Sequence, residues 1–339
     1  MSGRFIPSKP SPEAEALAVR YIDLAHPRLG SKVTQVSDEF FAPRERLIDP
    51  KPPVFLPDVY DENGKWMDGW ETRRRRAPGH DFAVLRLGTR GRIRALDIDT
   101  SFFTGNFPPE ATIEAATVEE EPGEADWQAL VPPMRLAGDS HHIVAVDDPR
   151  AFRWLRLCIS PDGGIARLRV FGEVAMDWAA VSPDEEIDLA ALVHGGRALC
   201  WSDAHYGHPS NMLAPGRGAN MGDGWETARR RGPGNDFAVI ALGAPGSVAR
   251  VEIDTAHFKG NYPDRAALRA ALLTEAPDPE LLAAQSARWP VLMAEEKLGP
   301  DAVHRLERLA ELGPVSHVRF DIFPDGGVSR LRLIGRKAP

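Results

Sequence analysis

Apolar residues alternate with polar ones through most of the chain. In Trp154-Leu155-Arg156-Leu157-Cys158-Ile159, the residues Leu155, Leu157 and Ile159 share one face and Arg156 takes the other. A Pro161-Asp162-Gly163-Gly164 turn follows, and Arg167-Leu168-Arg169-Val170 alternates again. The pattern predicts two strands joined as an antiparallel hairpin. Val318, Phe320 and Ile322, then Pro324-Asp325-Gly326-Gly327, then Arg330-Leu331-Arg332-Leu333 repeat it. Leu96 with Ile98, and Val251 with Ile253, form a further apolar stripe. A Pro-Gly turn leads into strands that begin at Asp81 and Asp236 and are expected to end at Gly88 and Gly243. Residues 267–273 alone read as a helix, being rich in Ala and Leu. Their counterpart, 112–118, is β-branched, which favours strand for both. Thirty Gly and thirty Pro leave little room for long helices. Many short strands with few helices predict an all-β fold, a β-sandwich of the jelly-roll type.

These matches belong to a repeat of domain size. Asp68-Gly69-Trp70-Glu71-Thr72 recurs as Asp223-Gly224-Trp225-Glu226-Thr227, an offset of 223 − 68 = 155. The offset is 165 upstream, where Ile22-Asp23-Leu24-Ala25 matches Ile187-Asp188-Leu189-Ala190, so the first copy carries ten extra residues between Pro50 and Asp68. It is 163 at the Pro-Asp-Gly-Gly turn, so the second copy carries eight extra residues before that turn. The chain divides into an N-terminal extension (1–20), a first repeat (21–172), a linker (173–185) and a second repeat (186–339). The extension is Pro-rich and is expected to be partly disordered. Trp178 in the linker is expected to pack on one of the domains.

Charge and cysteine content narrow the function classes. The net charge, 41 − 49 = −8, disfavours a nucleic-acid surface, although local arginines still suit a small anion. Cys158 and Cys200 occupy unmatched positions, so no disulfide framework is expected and a reducing cytoplasm fits. The first 30 residues show no apolar signal-peptide core, and no apolar run is long enough for a membrane span. No Gly-x-Gly-x-x-Gly after a strand, P-loop or Gly-x-Ser-x-Gly elbow is present, which disfavours nucleotide binding and serine-hydrolase chemistry.

Comparison of the copies nominates a site. Residues kept in both, such as the Asp-Gly-Trp-Glu-Thr motif with its arginines, read first as scaffold, with carboxylates and guanidiniums bracing a loop. His142 and His304 match each other and read the same way. Differences point to chemistry: Phe40 becomes His205, Pro43 becomes His208, Phe102 becomes His257 and Thr104 becomes Lys259. The Gly-rich stretch 214–221, with Asn220, is positioned to approach a ligand. The second copy is therefore the expected site. Glu226, Asp254, His257 and His205 are the candidates for catalysis. Asn220, Arg229, Arg231, Lys259 and His208 are the candidates for substrate binding; an arginine fork or Lys259 suits a carboxylate. No resident metal or other cofactor is expected. A divalent ion on His205, His208 and His257 with Asp203 or Asp254 is the weaker alternative, because no His-Glu-x-x-His motif is present.

Ser37-Asp-Glu-Phe-Phe-Ala-Pro43, Gly64-Lys-Trp-Met-Asp-Gly-Trp-Glu-Thr-Arg73, Asp99-Thr-Ser-Phe-Phe-Thr-Gly-Asn-Phe-Pro-Pro109 and their second-copy partners His205-Tyr-Gly-His208, Asn220 to Gly234, Asp254 to Asn261 and Phe323 to Arg332 together resemble the allantoicase (allantoate amidinohydrolase) family, from about residue 21 to 335. Phe82 and Phe237 stand where that family often has Trp, and Asn235 where it often has His. The resemblance implies two tandem jelly-roll (galactose-binding-like) β-sandwich domains, a homo-oligomer, and hydrolysis of allantoate to ureidoglycolate and urea. Two rivals remain at this stage. One is a non-catalytic tandem binding module. The other is a related hydrolase acting on ureidoglycolate.

Overall fold

The computed structural model describes residues 5–275 and 278–339. It divides into two units, Met1–Ala175 and Met176–Pro339. The first unit contains strands β1 (Ile22–Asp23), β2 (Lys32–Val36), β3 (Asp81–Asp99), β4 (Glu110–Ala116), β5 (Gln128–Arg135), β6 (His141–Ala145), β7 (Phe152–Ser160) and β8 (Arg167–Val174). The second repeats them as β9 (Ile187–Asp188), β10 (Arg197–Trp201), β11 (Asp236–Asp254), β12 (Arg265–Ala271), β13 (Val291–Lys297), β14 (Val303–Leu306), β15 (Val315–Phe323) and β16 (Arg330–Lys337). Residues 112–118 and 267–273 fall largely within β4 and β12, as their shared pattern requires.

The long strands organise each unit. β3 pairs through residues 81–86 with β7 on one edge, and through 83–86 with β2 on the other. Its second half pairs with β8 and β6. One strand thus serves both layers of a sandwich, and the layers close over a core that includes Trp70, Leu85, Leu96, Ile98, Leu157 and Leu168. β11 does the same between β10 and β15, then β14 and β16. The expected strand ends at Gly88 and Gly243 are therefore corrected: the strand continues through these glycines and changes partners. A Cβ at Gly88 would lie 1.9 Å from the Leu29 carbonyl oxygen, and one at Gly243 would lie 2.0 Å from that of His194.

The hairpin is corrected too. β7 and β8 do not pair with each other; each pairs with a different half of β3. Alternation fixes which face a side chain takes, not which strand lies beside it. One bulge also breaks the period. Phe171 opposes Ala95 and Gly172 opposes Ile93, so Arg94 is the extra residue. It shifts the buried set from Leu85, Leu87 and Ile93 to Leu96 and Ile98. The matched bulge in β11 falls at Ala249, between Val248 and Arg250.

Two helices flank this scheme. α1 (Pro12–Arg20) starts at Ser11, whose side chain accepts from the Ala14 amide, with Pro12 in the first turn and Arg20 in the last. It buries no side chain. From residue 5 onward the extension holds a two-residue strand, Ile6–Pro7, and this helix; residues 1–4 lie outside the described residues. α2 (Pro279–Ser286) lies in the second copy's extra residues, where the Arg319 guanidinium donates to Ala283 O (3.0 Å) and Ser286 Oγ (3.2 Å). Trp178 belongs to the second unit, with its ring beside His194 and its carbonyl accepting from Lys337 Nζ. No helix among the described residues is long and apolar enough to cross a membrane.

Candidate active site

The Asp-Gly-Trp-Glu-Thr motif and the Pro-Asp-Gly-Gly turn form one structure. Trp70-Glu71 pairs antiparallel with Gly164-Ile165. The Thr72 amide donates to Gly163 O (3.1 Å), and the Asp162 carboxylate accepts from the Arg75 amide (2.8 Å). Trp70 is fully buried, its indole donating to Asp38 O at 2.8 Å. Asp68 is held by the buried Arg167 (3.0 Å), as Asp223 is by Arg330 (2.8 Å). Arg75 pairs with Asp81, and Arg230 with Asp236. Most of the conserved charges therefore brace the loop.

Glu71 is the exception. Its backbone bridges to Ala42 on one side and to Gly164 on the other, fixing its side chain beside the loop that follows β3. There Asn106 Nδ2 donates to Glu71 Oε1 at 2.7 Å, while Asn106 O accepts from the Gly164 amide at 2.8 Å. Among the described residues, Asn106 is the side-chain partner of this carboxylate, and its second oxygen takes no side-chain hydrogen bond. Burial pushes the Glu71 pKa up, and the Asn106 bond offsets this only in part.

Glu71 and Asn106 line a cavity of about 510 Å³. Phe41, Phe55, Met67 and Phe102 give its lining an apolar part, and Lys65, Thr104 and Asp139 add polar groups to it. Phe55 stacks on Phe102 with centroids 5.5 Å apart, and the Lys65 ammonium lies 4.4 Å from the Phe55 centroid. Phe102 has φ 69°, and its amide donates to Asp139 Oδ1 at 2.8 Å. Phe55 and Lys65 come from the segment between Pro50 and Asp68, in which the first copy is ten residues longer. That excess length was the sequence signal for this site, since long connections often build sites.

The candidates named from the second copy are distributed differently. Glu226 repeats the geometry of Glu71, accepting from Asn261 Nδ2 and bridging to Gly207. The run from His205 to His208 therefore passes Glu226 through its backbone. His205 is exposed and packs edge-on against Tyr206. His208 is mostly buried against Trp201, and its Nδ1 accepts from the Ser210 amide (3.1 Å); burial pulls its pKa down to about 4. His257 Nε2 lies 2.8 Å from Gly218 O and donates to it. Asp254 Oδ1 accepts from the Ala256 amide (2.7 Å), matching Asp99 with Ser101. Asn220 opens the short helical turn Met221–Asp223. Arg229, Arg231 and Lys259 are exposed. Among the described residues, no three His, Cys, Asp or Glu side chains group to hold a metal ion.

His142 and His304 do have one shared structural role. Each Nδ1 donates to a strand carbonyl, Ile98 O (2.8 Å) or Ile253 O (3.0 Å). Each Nε2 accepts a loop amide, Ala137 or Gly299, at 2.8 Å.

The family model described as the allantoicase repeat matches residues 22–175 and again 187–338. The chain belongs to the allantoicase family. A probable allantoicase 2 of Burkholderia pseudomallei is 55% identical over 330 residues, covering 96% of this chain and 98% of that protein. A probable allantoicase of Photobacterium profundum is 51% identical over 322 residues, covering 94% and 97%. The crystal structure of allantoicase from Saccharomyces cerevisiae superposes with a TM-score of 0.78 at 35% identity, covering 98% of this chain and 100% of that one. Similarity extending through both copies of the allantoicase repeat carries the expected fold and activity together.

Proposed function

We propose that this allantoicase hydrolyses allantoate to ureidoglycolate and urea in the first-copy cavity. The observation that carries the location is a buried carboxyl of raised pKa, fixed by an amide, in the lining of a cavity that one lysine also lines. Allantoate bears a carboxylate on a carbon that carries two ureido groups. Lys65 anchors the carboxylate, and Phe55 and Phe102 enclose the ureido groups. Glu71 protonates the nitrogen of the departing ureido group as its C–N bond breaks. The nitrogen lone pair of the remaining ureido group forms a C=N bond in its place. Water then adds to that carbon and gives its proton to the Glu71 carboxylate, which restores the acid. Asn106 keeps one carboxyl oxygen occupied and so orients the other.

A second location has one observation in its favour: Glu226 and Asn261 repeat the carboxyl–amide pair. There His257, His205 and Asp254 would assist Glu226, and Asn220, Arg229, Arg231, Lys259 and His208 would bind substrate. Urea release by Glu71→Gln and Glu226→Gln separates the two: the first is expected to be lost and the second kept. Identification of the product as ureidoglycolate excludes both the ureidoglycolate hydrolase and the inert binding module. A homo-oligomer in a reducing cytoplasm completes the proposal. The free thiols Cys158 and Cys200 support that compartment, and light scattering on the purified protein tests the assembly.

A further inference from the structure

The wall that carries Phe55 is not secured by the sandwich alone. Ile6-Pro7 pairs antiparallel with Val54-Phe55, with Ile6 opposite Phe55, and the Ser8 amide donates to Pro53 O at 2.9 Å. On the other side, the Val54 amide donates to Asp68 Oδ2 at 2.9 Å. The segment 53–55 is thus held between the N-terminal arm and the aspartate of the Asp-Gly-Trp-Glu-Thr motif. Phe55 in turn stacks on Phe102 and carries the Lys65 ammonium over its ring. Elsewhere the arm meets β6, where the Lys9 backbone hydrogen-bonds the His141 side chain. Phe5 and Ile6 are exposed, and α1 behind them buries no side chain, so the arm adds little to the domain core.

We propose that the N-terminal arm, residues 5–9, is a positioning segment of the active site. It adds an edge strand to the first-copy insertion and holds Phe55 and Lys65 in the geometry that binds substrate. This rests on the first-copy location of the site. A segment of this kind acts by raising the fraction of molecules whose wall is already in place. Losing it scales the apparent affinity by that fraction and leaves the bound complex unchanged.

Deletion of residues 1–9 tests the inference, because Ser11 is retained to cap α1. If the wall is in place a fifth of the time without the arm, KM for allantoate rises roughly fivefold while kcat stays within about twofold. Amide exchange at 54–65 quickens, and the melting temperature barely moves. Unchanged KM and exchange overturn the inference, as does a parallel fall in kcat and melting temperature, which would mark the arm as scaffold. Glu71→Gln is assayed alongside. If that variant is inactive and the deletion is silent, only the arm inference fails. If that variant is fully active, the first-copy site fails and the arm's role in it fails too.

Discussion

Phe102 and His257 occupy the same place in the two copies. Their backbones match, with φ 69° and 72°, and each amide donates at 2.8 Å to an aspartate, Asp139 or Asp301. Only the neighbouring loop differs. In the first copy Phe102 stacks on Phe55, from the longer segment before Asp68, and helps to wall a cavity. In the second, His257 donates to Gly218 of the Gly-rich stretch. A titratable residue unique to one copy thus fastens a loop, whereas the Glu–Asn pair kept in both faces a cavity in the first. Shared residues are not scaffold by default, and unshared ones are not chemistry by default.

The sharpest way to break this comparison is a matched pair of carboxyl variants. Glu71→Gln is expected to lower kcat by about 10²- to 10⁴-fold, as for loss of a general acid–base group, with Glu226→Gln within about threefold. Equal losses in steady-state urea release would abolish the assignment to one copy. Lys65→Met comes next: KM is expected to rise roughly 10- to 100-fold with kcat little changed, the scale of one lost charge-assisted contact of about 1.5–3 kcal/mol. A third test probes what the copies share. A Cβ at Gly164 would lie 1.9 Å from Phe103 Cε1, and one at Gly327 would lie 2.0 Å from Phe258 Cε1. Each Gly→Ala variant is expected to cost about 1–3 kcal/mol in denaturant unfolding, to a similar degree in the two units.

Smaller effects follow from the second-copy histidines. His257→Phe, which installs the first copy's residue, removes the bond to Gly218 O and is expected to cost about 1 kcal/mol of stability, with urea release near normal. A collapse of turnover would return the site to the second copy. His208 is held neutral, with its pKa at about 4 against an ordinary 6.5. The unfolded chain therefore binds a proton there first, and the stability is lost as pH falls from 6.5 toward 4. His208 has φ −73° and Pro43 has φ −72°, so His208→Pro fits the backbone. The variant should flatten that acid slope in the second unit; an unchanged slope in thermal melts across this window would refute the assignment.

Faces and repeats were legible in the sequence, because a period of two and a matched copy both constrain them. Leu157, Leu168 and Ile98 lie in the core their alternation predicts. Strand partners were not legible: nothing local to 154–170 says that two strands separated by a tight turn will each choose a different half of β3. The candidate site was legible only in part. Its lining runs from Phe41 to Asp139, and no periodicity reports that Lys65 and Phe102 will meet across a cavity. Glu71 belongs to the motif shared by both copies, which reads as scaffold, and the extra titratable residues point to its counterpart Glu226 instead. The sequence clue to the first-copy cavity is length, the ten additional residues before Asp68, which comparison of residue types alone does not weigh.

Length also explains what the copies have not been free to change. They differ by ten residues before Asp68 and by eight before the Pro-Asp-Gly-Gly turn, yet from Asp68 to Glu110 the offset never leaves 155. The bulge at Arg94 sits inside that stretch. Removing one residue there would turn Leu96 and Ile98 out of the core onto the buried polar face beside His141, and Asp97 and Asp99 into the core, in a strand that both layers share. The connections of this protein can therefore be lengthened in evolution, whereas the stretch through its long strand is counted to the residue.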